Sequence, residues 1–319
     1  MMKIFFPTLF LLLSFGTNAQ LTWTRMDTAF RDLPASVHIY RTTSNIDGKP
    51  NIAWYLEADT RDKALEFFTD TTYQRRLTPQ QFYEKNGQPL LVVNTTFFSF
   101  ATNQNLNVVV TGGKLVSYNI HTIPGRGRDT LTYRHPFGSA IGISKKRNLD
   151  VGWLYTDSTM KYPLVLPTAV EAVKDSSGAF TPFSNRRERK RMGLKPWKME
   201  AAVGGGPVLL QEGMIKISSE EERKFYGKAV NDKHPRTGMG YTKDNKLIIL
   251  VIEGRNPGIA EGATLTQMAE MFRSIGCWEA LNLDGGGSSC MLVNGQETIR
   301  PSDKKQRPVP AVFMIGKKK

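Results

Sequence analysis

Residues 281–291 of the chain read Leu-Asn-Leu-Asp-Gly-Gly-Gly-Ser-Ser-Cys-Met. The alternating apolar residues Leu281 and Leu283 predict the end of a buried strand, which Asp284 follows directly. The next three residues are glycines, and because they lack Cβ atoms a ligand or another segment can approach the backbone closely. A carboxylate at a strand end beside such a loop is well placed to face a cleft. The alternative is a tight connection in which Asp284 only hydrogen-bonds its own backbone.

The sequence on either side of this stretch predicts regular structure. Upstream, apolar residues with helical spacing predict a helix over residues 265–275, with Thr264 and Gln267 forming a capping box and Gly276 ending the helix. Downstream, residues 290–293 predict a strand, and Asn294-Gly295 predicts a type I′ hairpin. The polar loop is therefore expected to sit on a rigid scaffold, as functional sites usually do.

Four blocks of sequence, in this order, carry a resemblance to a known family. They are VVNTTFFSF (92–100), AAVGGGPVLLQEG (201–213), HPRTGMGYTKDNKLIILVIEGR (234–255), and LNLDGGGSS (281–289) with GATLTQMAE (262–270) before it. Together they cover about residues 90–315, and the chain resembles the phosphodiester glycosidase family. Two departures from the family pattern are Asn94-Thr95-Thr96, where a small residue usually follows the asparagine, and Cys290, where threonine is common.

The N-terminus has the pattern of a secretory signal peptide. Residues 1–19 contain one positive charge (Lys3), an apolar run from Ile4 to Phe15, and the ending Thr17-Asn18-Ala19. Cleavage would leave Gln20 at the mature N-terminus. No later stretch is long and apolar enough to predict a membrane span. The protein is expected to be exported, to the periplasm or outside the cell, and residues 20–319 are expected to form one catalytic domain.

The chain is strongly basic, with 43 Lys and Arg residues, 29 Asp and Glu residues and a formal net charge of +14. This balance favours anionic partners such as phosphorylated glycans, anionic polymers or lipid headgroups. Much of the excess lies in residues 186–191 and 317–319, where no aromatic residues are interleaved, so nucleic-acid binding is not expected. A solvated surface loop is the simpler interpretation of the basic run.

The cysteines and histidines are few. Cys277 and Cys290 could pair in an exported protein, but both flank apolar strands, and unpaired buried thiols are favoured. With only two cysteines and four histidines, no metal site is predicted. The second triple glycine, 204–206, lacks the Gly-Lys-Ser/Thr ending of a P-loop, and no cofactor is predicted.

Many short strands with a few helices predict an α+β fold, a single domain around a mixed or largely antiparallel sheet. Residues 20–88 are expected to form a strand-rich part packed onto the rest, with short helical turns at Ala64–Phe68 and Pro79–Tyr83. Gly112-Gly113 predicts a hairpin, and residues 155–199 are expected to form an irregular surface excursion.

The block at 234–255 predicts two strands that end in charged residues. The second strand, residues 247–252, runs directly into Glu253-Gly254-Arg255. Charged residues at a strand end lie at the sheet edge, where ligand sites are often found. The alternative is a surface ion pair between Glu253 and Arg255. The resemblance, in which an acid-Gly-Arg recurs here, favours the site.

The resemblance implies cleavage of a sugar from a phosphodiester at the anomeric carbon, which carboxylates assist and arginines promote by binding the phosphate. Asp284 and Glu253 are the catalytic candidates. The substrate-binding candidates are Asn94 for a sugar hydroxyl or acetamido group, Arg236 and Arg255 for phosphate, Thr237 beside Arg236, and Gly285, Gly286, Ser288 and Ser289 as further donors. The sequence leaves open which carboxylate is nucleophile, base or acid.

The predicted function is an exported hydrolase that releases a sugar, N-acetylhexosamine by the resemblance, from a sugar-1-phosphodiester such as a phosphorylated glycan. Two alternatives remain open. One is a non-catalytic glycan-binding protein of the cell envelope, and the other is a basic protein that binds polyanions.

Overall fold

The computed structural model describes residues 21–180, 186–225 and 227–318. The predicted signal peptide and its cleavage position lie outside the described residues. Strand accounts for 38% of the structure and helix for 14%. The fold is therefore mostly β, rather than the balanced α+β that the sequence predicts, whereas the largely antiparallel character of the sheets is confirmed.

The strands, in chain order, are β1 (Thr24–Arg25), β2 (Val37–Thr42), β3 (Ala53–Asp59), β4 (Leu65–Thr71), β5 (Leu91–Asn94), β6 (Val109–Thr111), β7 (Lys114–Ser117), β8 (Ile123–Pro124), β9 (Tyr133–His135), β10 (Gly138–Ile143), β11 (Leu149–Tyr155), β12 (Leu164–Leu166), β13 (Val173–Asp175), β14 (Lys195–Pro196), β15 (Ala201–Gly204), β16 (Val208–Gln211), β17 (Met214–Ile215), β18 (Arg236–Thr242), β19 (Lys246–Ile252), β20 (Cys277–Asn282), β21 (Met291–Val293), β22 (Gln296–Glu297) and β23 (Ala311–Lys317).

The helices are short. They are α1 (Pro79–Lys85), α2 (Arg186–Arg191), α3 (Ser219–Glu222) and α4 (Leu265–Ile275), with single 3-10 turns at Asp27–Ala29, Gly127–Asp129, Gly227–Asn231 and Gly286–Ser288. The predicted helix is confirmed as α4: the side chain of Thr264 accepts from the N–H of Gln267, and Gly276 ends the helix with a φ of 95°. None of the helices in the described part of the chain is long and apolar enough to span a membrane.

The strands form four sheets, and every strand pair in the described ranges is antiparallel. The eight-stranded sheet has the order β1-β2-β3-β19-β18-β20-β16-β17, and the seven-stranded sheet has the order β14-β12-β11-β10-β15-β6-β7. The five-stranded sheet has the order β22-β21-β5-β23-β4, and β13-β9-β8 form a small fourth sheet. The N-terminal strands β2 and β3 belong to the eight-stranded sheet through β19, so this part packs onto the rest as predicted.

The main hydrophobic core lies between the three large sheets. Its buried residues include Leu56 and Ile249 from the eight-stranded sheet, Ile141 from the seven-stranded sheet, and Val93 and Ile315 from the five-stranded sheet. Helix α4 covers the opposite face of the eight-stranded sheet, where its residues form a second buried cluster. Each large apolar side chain buried there contributes about 2 kcal/mol to the free energy of unfolding. The scaffold beneath β18, β19 and β20 is therefore closely packed on both faces.

The structure corrects two expectations. Ala64–Phe68 is not a helical turn, because residues 65–71 form β4, which pairs with β23 along its whole length. Residues 155–199 are not simply a surface excursion, because β12 and β14 extend the seven-stranded sheet. Within that region Leu164, Leu194 and Trp197 are buried. Strand β4 pairs with a strand near the other end of the chain, whereas β12 pairs with the neighbouring β11.

Candidate active site

The glycine loop joins two sheets. Strand β20 lies inside the eight-stranded sheet and β21 lies in the five-stranded sheet, so the loop from Asp284 to Cys290 crosses from one to the other. At its start, the N–H of Leu283 donates to the carbonyl of Thr237 (2.8 Å), and the N–H of Asp284 donates to that of Thr95 (2.7 Å). Gly286 has a φ of 62°, in the left-handed region where a side chain would be strained. The loop is therefore held in one conformation at the boundary between the sheets.

The side chain of Asn94 hydrogen-bonds both ends of the glycine loop. Its Nδ2 donates to the carbonyl oxygen of Asp284 (2.6 Å), and its Oδ1 accepts from the hydroxyl of Thr237 (2.9 Å) and the N–H of Cys290 (3.0 Å). Asn94 and Thr237 are both fully buried. These positions differ from the ligand-contacting roles expected from the sequence, because the polar groups of both side chains are used within the protein. Asn94 instead connects the ends of β5, β18 and the glycine loop.

The carboxyl group of Asp284 is the most perturbed acid in this region. Although the residue is half-buried, the surrounding protein desolvates its carboxyl group, and this raises its pKa from 3.8 to about 7. The hydrogen bond from Ser288, the positive charge of Arg307 and the N–H of Gly285 all favour the ionised form and oppose the rise. Asp284 can therefore exchange a proton near neutral pH, which suits a general acid, a general base or a nucleophile.

Arg307 and Asp303 also belong to the site, although no sequence motif marks them. The guanidinium of Arg307 donates to the carboxylate of Asp303 (2.6 and 2.9 Å) and lies 3.5 Å from the Ser288 hydroxyl. A Cβ added at Gly287 would lie only 2.0 Å from this guanidinium. The glycine is therefore required for the close approach of Arg307 to the loop. The two residues stand in a charged C-terminal segment without a recognisable pattern.

Arg255 also approaches the loop, at Gly286. A Cβ added at Gly286 would lie 3.0 Å from one guanidinium nitrogen of Arg255 and 3.3 Å from the other. Arg255 is exposed and has a φ of 60°, which is uncommon for a residue with a side chain. In the described part of the chain it makes no ion pair with Glu253, so the structure does not contain the surface pair considered as the alternative. The guanidinium is available to a ligand above the glycines.

Arg236 is buried behind this surface. Its guanidinium donates to the carbonyls of Ala263 (3.0 Å) and Asp232 (2.6 Å) and lies 5.5 Å above the ring of Phe225. Burial lowers the pKa of Arg236 to about 10, and the positive charge of nearby Arg255 acts in the same direction. The two nearby arginines form a region of positive potential, which a bound anion would neutralise.

Glu253 is also largely buried, with only 6% of its surface exposed. Its carboxylate accepts from the N–H of Arg300 (3.0 Å) and from the amide of Asn256 (3.4 Å). The following Gly254 packs against Pro235, whose carbonyl accepts from the N–H of Gly286 (2.8 Å). Glu253 thus lies on the segment that supports the glycine loop, and its carboxylate is engaged with the protein.

The donors predicted within the loop are partly engaged. The N–H of Gly286 is used by Pro235, and that of Gly285 by the carboxyl of Asp284. The Ser288 side chain is shared between Asp284 and Arg307. By contrast, the hydroxyl of Ser289 is buried and has no hydrogen-bond partner among the described residues. Of the predicted donors, it is the one left for a ligand or a water molecule.

The second triple glycine supports β20 from its other side. A Cβ added at Gly205 would lie 2.4 Å from the carbonyl oxygen of Asn282, and the N–H of Gly206 donates to the same oxygen (2.7 Å). The ammonium of Lys224 and the amide of Asn107 both donate to the carbonyl of Gly205. The block at 201–213 therefore packs directly against the strand that carries Asp284, which the sequence pattern alone did not indicate.

Cys277 and Cys290 are both buried, and neither forms a disulfide. The preference for unpaired thiols is confirmed. Burial raises the pKa of each thiol, so both are unreactive.

An antiparallel scaffold that presents a desolvated carboxyl group and two guanidinium groups at one glycine loop defines a polar site suited to an anionic substrate. A sequence profile described as phosphodiester glycosidase matches residues 87–316, and the chain belongs to that family. At the family level this membership indicates a glycosidase-type hydrolase.

Individual relatives agree with this membership. The chain is 30% identical over 234 residues to the Bos taurus N-acetylglucosamine-1-phosphodiester alpha-N-acetylglucosaminidase, covering 73% of this chain and 36% of the relative. The Mus musculus protein of that name is 31% identical over 105 residues, covering 33% of this chain and 20% of the relative. The chain thus spans about a third of the length of the first curated relative and about a fifth of the length of the second.

A solved structure also shares the fold. It is the zebrafish N-acetylglucosamine-1-phosphodiester alpha-N-acetylglucosaminidase catalytic domain, auto-inhibited by its pro-peptide. The TM-score is 0.62 at 19% identity, and the match covers 94% of this chain and 89% of the other. At this identity the likeness shows the fold alone.

Proposed function

We propose that the protein is an exported hydrolase that releases a sugar, an N-acetylhexosamine in the first instance, from a sugar-1-phosphodiester. The observation that carries the proposal is the carboxyl group of Asp284, desolvated in the glycine loop with Arg307 acting on it, while Arg255 approaches the same loop at Gly286. Family membership and the names of the curated relatives supply the substrate class. The signal-like sequence of residues 1–19 supports export.

In the proposed reaction the bond between the anomeric carbon and the phosphate oxygen breaks, and the oxygen keeps the bonding electrons. Water supplies a hydroxyl to the anomeric carbon, and its other proton is released. The products are the free sugar and a phosphate monoester. Because the leaving phosphate is a weak base, it needs cationic contacts more than a proton, and Arg255 supplies these above Gly286.

Asp284 acts in this scheme in its ionised form. The carboxylate either attacks the anomeric carbon or activates the water, and it stabilises the oxocarbenium-like transition state. Ser288 and Arg307 orient the carboxylate and favour its ionisation. Glu253, held by the N–H of Arg300, is the second carboxylate of the region and supports the Arg255 segment.

The direct test is hydrolysis of the methyl diester of N-acetylglucosamine-1-phosphate by the mature protein. We expect free N-acetylglucosamine and methyl phosphate in equal amounts. If no sugar is released from this or any other sugar phosphodiester, the enzymatic proposal fails. Saturable binding without turnover would then favour a glycan-binding protein, and steeply salt-dependent binding to heparin without sugar selectivity would favour a polyanion binder.

Export is tested separately by intact-mass analysis of the protein from its native cells. We expect a chain that begins at or near Gln20 in the periplasmic or extracellular fraction. A cytoplasmic species that retains Met1 would contradict this part of the proposal.

A further inference from the structure

We propose that the alcohol esterified to the substrate's phosphate is apolar, and that it binds in a cavity of about 580 Å³ whose wall includes Phe97 and Phe225. Both rings are close to the glycine loop in the fold: Phe97 follows Thr95, whose carbonyl accepts from the N–H of Asp284, and Phe225 lies under Arg236, which is next to Gly285. The inference rests on the proposed function and deepens it: the substrate class becomes a sugar-1-phosphate ester of an alkyl or lipid-like alcohol. The size of the cavity is in the range of small-molecule binding sites.

The cavity wall is mainly apolar. Phe97, Leu106, Ile123 and Phe225 line it, and each of these side chains is only partly covered by protein. Ile120, which also lines the cavity, is 46% exposed. Partly uncovered apolar side chains that converge on one concave surface mark a site for an apolar ligand.

Apart from the exposed Arg126, the polar side chains of the wall are already used by the protein. Asn119 accepts from the N–H of Val108 (2.9 Å) and donates to the carbonyls of Gly138 and Leu154 (both 3.2 Å). Asn107 likewise accepts from the N–H of Phe97 (3.1 Å). A sugar ring needs several free hydrogen-bonding partners, which these amides do not offer. An apolar group needs no hydrogen-bonding partners, and it would displace water from the partly exposed rings of Phe97 and Phe225.

Glu222, the acid of the cavity wall, is also saturated. It is 1% exposed, and its carboxylate accepts from the side chains of Ser139 (2.8 Å), Trp153 (3.0 Å) and Ser218 (2.6 Å). It also accepts from the N–H groups of Ser139 (3.2 Å) and Val208 (3.0 Å). With five donors around it, this carboxylate is a fixed part of the wall rather than a ligand for sugar hydroxyls.

Lys224 connects the cavity wall with the second triple glycine. Its ammonium donates to the carbonyl of Gly205, which packs on the strand leading to Asp284, and it lies 5.4 Å from the centre of the Phe97 ring. Among the described residues, Gly205 is its single hydrogen-bond acceptor. Burial lowers the pKa of Lys224, while the negative charge of Glu222 favours its protonated form.

A second cation, Arg236, is also close to the cavity wall. Its guanidinium lies above the ring of Phe225, which lines the cavity. Positive charge close to an apolar wall matches a phosphate that carries an apolar ester. The phosphate would lie toward the glycine loop, and its ester group would lie in the cavity.

The test is a series of N-acetylglucosamine-1-phosphodiesters with methyl, butyl and octyl alcohols, each used below its micelle concentration. Every methylene that becomes buried should raise kcat/KM by up to about fourfold, so the butyl ester should exceed the methyl ester by about tenfold or more. Ile123→Ser, which places a hydroxyl in the cavity wall, should flatten this dependence on chain length. Leu131→Ser, at an apolar residue that is 87% exposed and outside the cavity, should preserve it.

The outcomes separate the two proposals. Equal kcat/KM values for the methyl and octyl esters would overturn the apolar subsite while leaving the glycosidase proposal intact. If no ester is hydrolysed, the glycosidase proposal fails, and titration calorimetry with octyl phosphate against methyl phosphate then decides about the cavity. Tighter binding of octyl phosphate, weakened by Ile123→Ser but not by Leu131→Ser, would support the subsite, and equal binding of both phosphates would overturn it.

Discussion

Replacing Asp284 by Asn should make the protein more stable and nearly inactive, and the gain in stability should depend on pH. The folded protein raises the pKa of Asp284 from 3.8 to about 7, a shift of roughly 3 units. At 1.36 kcal/mol per unit, keeping the ionised carboxylate in this site costs about 4 kcal/mol. Asparagine has nearly the same shape and carries no charge, so the variant avoids this cost.

The pH window follows from the raised pKa. Below pH 3.8 the carboxyl is protonated in both the folded and the unfolded state, and the variant should gain nothing. Between pH 3.8 and about 7 the unfolded chain releases the proton while the folded protein keeps it, so the wild type loses stability as the pH rises. Above this range the difference in unfolding free energy between the variant and the wild type should reach its maximum. Its upper limit is about 4 kcal/mol, because asparagine also changes the hydrogen bond with Ser288 and loses part of the gain.

Urea unfolding of both proteins at pH 4, 6 and 8, with sugar release measured alongside, tests this prediction. The wild-type kcat/KM should rise with pH through about 7, and Asp284→Asn should lose several powers of ten in rate. The matched control is Asp59→Asn. Its carboxylate is stabilised by hydrogen bonds from Arg61, which lower its pKa, so this variant should lose a little stability above pH 4 and keep full activity.

Two results would refute the reasoning. A stability difference that does not change between pH 4 and pH 8 would mean that Asp284 is not desolvated in the folded protein. Near-normal sugar release by a well-folded Asp284→Asn protein would remove Asp284 from the mechanism.

Three further substitutions test other parts of the site and scaffold. Arg255→Lys keeps the charge but loses the planar pair of donors, so kcat/KM for a sugar-1-phosphodiester should fall by about tenfold or more; full activity would exclude bidentate phosphate binding. Gly287→Ala places a Cβ 2.0 Å from the guanidinium of Arg307 and should lower activity about tenfold while the fold is kept. The control is Gly178→Ala, whose Cβ would be 3.4 Å from the nearest atom, and it should change neither activity nor stability. Thr78→Ala removes the N-terminal cap of α1 and should lower the free energy of unfolding by about 1 kcal/mol without affecting sugar release. An unchanged midpoint of urea unfolding would show that the cap contributes little to stability.

The features that could be predicted from the sequence are those specified by neighbouring residues. Helix α4 carries its own capping box and terminal glycine, and its bounds match the predicted ones. The turn at Asn294-Gly295 has positive φ at both residues, as a type I′ turn requires. Gly112-Gly113 forms the predicted hairpin between β6 and β7 in the same way. In each case the signal lies within a few residues of the structure that it determines.

The features that could not be predicted depend on distant partners. Strand β4 is fixed by pairing with β23, near the other end of the chain, and nothing in its own seven residues distinguishes it from a helical turn. Arg307 and Lys224 lie among many other charged residues, and only the folded chain brings Arg307 to the glycine loop and Lys224 to Gly205. Asn94 was identified as a site residue, but its burial and its three partners could not be seen in the sequence.

The three hydrogen bonds of Asn94 have a consequence for how the protein becomes active. They join residues that are 190, 143 and 196 positions apart in the chain, so loop-closure entropy opposes each of them until the sheets are in place. Contacts of such long range form late in folding. A partly folded chain can therefore contain the hairpins and α4 and still lack a glycine loop in its final conformation. The proposed enzymatic activity would then report completion of the whole fold, and it would arise only after the last sheet has closed.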